Sequence, residues 1–85
     1  MKTAIKIPVY EYERGWGSKI DDYMVCLTSE DKDNFIKGFN SDNDKPQVPD
    51  WYMIAKDEPS FIELTDSQYE LLKIHKRISQ SILLK

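Results

Sequence analysis

The sequence predicts an α+β fold, a small antiparallel sheet in the order ββαββα with one short helix and a long C-terminal helix, in a single domain over residues 1–85. Three observations carry that expectation. Residues 3–13 alternate apolar and polar and run through Gly15-Trp16-Gly17 into a second strand-like stretch. WYMIA, residues 51–55, and the segment 61–64 are short and aromatic or β-branched, as strands are. Leu71, Ile74, Ile78 and Ile82 recur at helical spacing.

In the first strand Ile5, Ile7 and Val9 share one face, and Lys6, Tyr10 and Tyr12 take the other. Pro8 has no backbone donor, which predicts a sheet edge or a bulge. Two glycines flank Trp16, so the turn can adopt φ > 0 and hold a large ring at its tip, with Arg14 and Lys19 on either side. The second strand starts at about Ile20. Tyr23, Val25 and Leu27 alternate with Met24 and Cys26, and apolar residues on both faces predict a central position.

Thr28-Ser29-Glu30-Asp31 reads as a helix start, a hydroxyl cap followed by acids in the first turn. Phe35, Ile36 and Phe39 are spaced to face the sheet. Gly38 either weakens the last turn, by about 1 kcal/mol relative to alanine, or ends this short helix. Residues 41–50, SDNDKPQVPD, read as a polar surface loop. Calcium is excluded there: an EF-hand loop beginning at Asp42 needs glycine and glutamate where the chain has Gln47 and Met53. Asp57 to Ser60 then predicts a turn that folds the third and fourth strands into a second hairpin. Thr65 and Gln68 form a capping box, with Leu64 and Tyr69 placed as its staple, and the helix is expected to run from Asp66 to about Leu84.

A chain of 85 residues buries only about 60% of its unfolded surface, so a lone copy is modestly stable. Cys26 is the only cysteine and His75 the only histidine, which excludes an internal disulfide or a Cys/His zinc site. No apolar run approaches a membrane span and no signal-like core opens the chain, so a cytoplasmic protein without cofactors is expected. The net charge of −3 is unevenly spread. Residues 1–20 carry +2, residues 21–70 hold thirteen acids against four lysines, and residues 71–85 carry +4. Two basic ends around an acidic middle can join into one local patch; a solvated surface can equally carry such a pattern.

Catalysis has little to work with. One helical histidine without a partner is no general base, and Cys26 between Val25 and Leu27 has no sequence neighbour to lower its pKa. Asp21 and Asp22 point to opposite faces of a strand and converge only at a bulge. No phosphate-binding glycine loop or nucleophile elbow is present, so a non-enzyme is expected.

Binding is better supplied. Tyr10, Tyr12 and Trp16 with Lys6, Arg14 and Lys19 combine stacking rings with cations, the two ingredients of sequence-tolerant single-strand RNA recognition. Lys73, Lys76 and Arg77 extend that surface. The competing reading packs the tyrosines beneath a helix, anchors the turn with Trp16 and leaves the helix cations solvated. The apolar stripe Leu71, Ile74, Ile78 and Ile82, widened by Leu72 and Leu83, exceeds what one side of a small sheet needs, which points to a homodimer.

The segments YERGWGSKIDD, VPDWYMIA and ELTDSQYELL resemble the small accessory proteins of T4-like phages, the TifA family of inhibitors of the ToxIN type III toxin–antitoxin system in particular. The resemblance lies in size and sequence texture over most of the chain. It implies a phage counter-defence protein, acting in the infected cell, that binds RNA and inhibits a host endoribonuclease toxin, ToxN-like, within a stoichiometric complex. The alternative is an acidic inhibitor without RNA affinity, in which carboxylates such as Asp42, Asp44 and Asp57 mimic phosphates in a partner's basic groove.

Overall fold

A computed structural model describes residues 2–13, 15, 17–43 and 51–84. It is an α+β structure built on β1 (Lys2–Glu13) and β2 (Gly17–Cys26), followed by α1 (Ser29–Asn43), β3 (Trp51–Ala55), β4 (Ser60–Leu64), α2 (Asp66–His75), β5 (Arg77–Ser79) and α3 (Gln80–Leu83). All the strand pairs are antiparallel.

β1 is the axis of the sheet. β2 lies along one side and carries β5 beyond it, while β3 and β4 share the other side of β1. The hairpin expected from the glycine-flanked turn is present, with Glu13 opposite Gly17 and Ile5 opposite Cys26. Gly15 and Gly17 both have positive φ, 83° and 86°. The register slips between Val9 and Tyr10, whose partners are Asp22 and Ile20, so Asp21 is the extra residue of a bulge on β2.

The expected second hairpin does not form. β3 pairs with residues 9–13 of β1 and β4 with residues 2–6, so the two follow one another along the same edge without pairing together. The reason is local. Residues 56–59 make only a tight kink, with the Glu58 N–H donating to the Lys56 carbonyl at 2.8 Å, and the chain direction is kept. Pro8 accordingly sits in a central strand rather than at an edge. Its carbonyl accepts the Lys56 N–H at 3.1 Å, so its missing donor faces the gap between β3 and β4 and breaks no ladder bond.

The long C-terminal helix is also corrected. α2 starts as expected: the Thr65 hydroxyl accepts from the Gln68 N–H at 3.2 Å, and the Gln68 carboxamide accepts from the Thr65 N–H at 2.9 Å. It ends at His75, because Lys76 turns to φ 70° and releases Arg77–Ser79 to pair with Met24, Val25 and Cys26. A continuous helix would leave that edge of β2 unpaired above Val25 and Cys26, which are fully buried. The tertiary pairing outweighs the helical periodicity of the segment.

α1 is the longest helix among the described residues and passes through Gly38 without stopping. Thr28 caps it, its hydroxyl accepting from the Asp31 N–H at 3.1 Å. The core is divided between the two faces of the sheet. On one face α1 lays Phe35, Ile36 and Phe39 over Ile7, Val9 and Ala55. On the other, Leu72 of α2 and Leu83 of α3 close over Ala4, Val25 and Leu64. No helix among the described residues is long and apolar enough to cross a membrane.

Candidate nucleic-acid interface

Alternation along β1 places Lys2, Ala4, Lys6, Pro8, Tyr10 and Tyr12 on one face, the face that α2 and α3 cover at Ala4. Beyond Lys6 that face carries rings and cations. Tyr10 lies between Ile20 on β2 and Ile54 on β3, and directly opposed residues project to the same side of a sheet. The Tyr10 and Tyr12 ring centroids are 6.3 Å apart.

Lys56 is two residues past Ile54 and returns to the same face. Its Nζ lies 4.6 Å from the Tyr10 ring centroid and 5.6 Å from that of Tyr12. A hydrogen bond to the Tyr12 side chain raises the Lys56 pKa above the ordinary lysine value, so the ammonium stays charged throughout the physiological range. Toward α2, Lys6 lies 4.4 Å from the Tyr23 ring. Lys2 and Lys73 lie 5.2 and 5.6 Å from the Tyr69 ring. Each such pair contributes about 0.5–1 kcal/mol at an exposed site. The result is a track of tyrosines, each with an ammonium over its face.

This track gathers some of the expected RNA-binding residues and separates others. Lys6 is within it, and Lys73 is at its α2 end. Lys19 is opposite Glu11 on the other face of the sheet, 3.9 Å from its carboxylate, in a shallow cleft with Glu13, Gly17 and Ser18. Arg77 sits on the α1 side, its guanidinium carbon 5.5 Å from the Phe35 ring. Lys76 forms the exposed link between α2 and β5. Arg14 and Trp16 lie outside the described residues, as do residues 44–50 of the expected polar loop.

Lys2, Lys56, Tyr23 and Tyr69 complete the track beyond the residues to which the sequence points. Lys56 could have been found from the alternation of WYMIAK, which sets it in phase with Tyr52 and Ile54. Lys2 is in phase with Lys6 for the same reason. Tyr69 is drawn in by its helix, and that placement follows from the packing of Leu72.

Cys26 is buried, and burial pushes its thiol from 9.0 up to about 11, with Asp31 adding to the rise and Arg77 and Lys32 opposing it. The bulge on which convergence of Asp21 and Asp22 depends is present, with Asp21 as its extra residue. Asp22 turns to accept the Tyr23 N–H at 2.7 Å and the Ser81 hydroxyl at 2.5 Å. Among the described residues no cluster of three or more potential metal ligands occurs.

Comparison with known proteins leaves the geometry to speak for itself: no family model, no curated protein and no solved structure matches this chain.

Proposed function

We propose that this chain is a non-enzymatic RNA-binding protein whose tyrosine and lysine track grips a single strand. The observation that carries the reading is the gathering of Lys2–Tyr69, Lys73–Tyr69, Lys6–Tyr23, Lys56–Tyr10 and Lys56–Tyr12 on one side of the sheet. A base that stacks on a tyrosine takes the ring face now held by an ammonium, and the lysine swings to the adjacent phosphate. Neighbouring rings 6.3 Å apart suit unstacked bases of an extended strand, and rings accept any base. A duplex offers no such base faces. The acidic total limits non-specific coating and confines binding to this track.

The resemblance to TifA-like phage proteins supplies the biological setting of the proposal, counter-defence by stoichiometric inhibition of a host endoribonuclease toxin held together with RNA. The protein-mimic reading draws on a different surface. Glu30, Asp33, Asp57 and Glu58 are exposed near the start of α1 and the β3–β4 link, where Lys32 bonds Asp57 at 2.7 Å and Asp33 at 3.0 Å.

Fluorescence anisotropy with a mixed-sequence RNA strand and with its duplex distinguishes the two. The RNA reading expects preference for the single strand and a slope of log K against log salt of about −3, the value for four lysine–phosphate contacts. Absence of binding to either form at low salt would refute it and direct attention to the acidic surface.

A further inference from the structure

We infer that the groove between α2, β5 and α3 is the contact surface of a two-fold dimer, in which each copy inserts Ile74 into the groove of the other. The groove has a volume of about 600 Å³ and is walled mainly by Met24, Leu71, Ile78, Ile82 and Leu83. Breaking the C-terminal helix at Lys76 opens it, since α3 then returns beside α2 instead of extending it, with the Gln68 side-chain amide donating to the Leu83 carbonyl at 3.3 Å. Ile78 turns into the sheet and packs toward the core, while Leu71, Ile74, Ile82 and Leu84 remain 45%, 71%, 64% and 50% exposed.

The exposed parts of Leu71, Ile74 and Ile82 amount to roughly 350 Å² of aliphatic surface, within the size range of the largest apolar patch on a typical monomer. A standard interface buries about 800 Å² per partner, a little over half of it apolar, so this patch supplies most of the apolar share that a stable dimer needs. The surface is also self-complementary. Ile74 stands one helical turn from Leu71, outside the groove lining, so a projection and a recess lie side by side. A two-fold contact requires that pairing on one surface. The charged and titratable groups in the described lining are Arg77 and His75, with no carboxylate to recruit a basic partner. Two copies bring Arg77 toward Arg77, so salt is expected to leave the dimer intact or tighten it.

Sedimentation equilibrium of RNase-treated protein in 1 M salt, a condition that removes bridging RNA, tests the inference independently of RNA binding. The expected mass is twice the 10.0 kDa chain. Ile74→Glu, at an exposed helix position, is expected to weaken association by at least about 30-fold with an unchanged circular dichroism spectrum. Ile82→Glu on α3 provides a second, separate disruption. A wild-type monomer at concentrations up to about 100 μM would overturn the inference. So would a dimer whose affinity both substitutions leave unchanged.

Discussion

The side chain of Asn40 and the backbone of Ala55 exchange two hydrogen bonds: Nδ2 donates to the Ala55 carbonyl at 3.0 Å, and the Ala55 N–H donates to Oδ1 at 2.9 Å. Ala55 faces Val9 of β1 on one side, so the carboxamide acts as the missing strand on the other. It holds the last turns of α1 to β3 and thereby fixes the strand that precedes Lys56. Asn40→Ala is expected to cost about 1–3 kcal/mol, measured by urea unfolding. Asn40→Asp keeps the acceptor for the N–H but sets a carboxylate against the Ala55 carbonyl, and a similar loss is expected.

Lys76 takes φ 70° and ψ −37° to end α2, a conformation that a side chain disfavours by about 1–3 kcal/mol. Glycine has no such restriction. Lys76→Gly is therefore expected to stabilise the fold by about 1 kcal/mol in thermal or urea unfolding, although it adds flexibility to the unfolded chain. A helix running unbroken through this position would respond in the opposite direction, with a loss of about 1 kcal/mol.

The buried Cys26 thiol titrates near 11, against 9.0 when unhindered. The native state therefore holds its proton after the unfolded state has released it, and this contribution to stability is complete below pH 9 and falls as pH rises toward 11. The loss amounts to about 2–3 kcal/mol over that window. Cys26→Ala is expected to flatten this part of the stability profile. In the wild type a thiol reagent at pH 8 should react only as fast as the protein opens.

Legibility in the sequence followed the range of the interactions involved. Thr28, and Thr65 with Gln68, announce their helices because a cap is completed within three residues. The glycine-flanked turn and the alternation of Ile5, Ile7 and Val9 similarly specify a hairpin. The break at Lys76 was hidden because its cause, the unpaired edge of Met24, Val25 and Cys26, lies far away in sequence. Of the two positions that Pro8 predicts, the edge fails for a related reason, since its harmless place in a central strand depends on where β3 stops and β4 starts, while a bulge does follow at Val9 and Tyr10. The site was half visible. Tyr10, Tyr12 and Lys6 share one phase of the sequence, but their companion Lys56 becomes evident only when β3 is laid in register with Tyr10 opposite Ile54.

The most direct test of the RNA-binding track compares substitutions on the two faces of the sheet. Affinity for one single-stranded RNA would be measured by anisotropy at fixed salt for Tyr12→Ala, Lys56→Gln, Lys19→Gln and Arg77→Gln, with folding verified by circular dichroism. Loss of one stacking ring is worth about 1–3 kcal/mol, so Tyr12→Ala should weaken binding by roughly 5- to 150-fold. Lys56→Gln should weaken it and reduce the salt slope by about 0.7. Lys19→Gln and Arg77→Gln, on the opposite face, should each change affinity by less than about 3-fold. Losses confined to Lys19 and Arg77, with Tyr12 and Lys56 indifferent, would contradict the assignment of the tyrosine and lysine track as the RNA site.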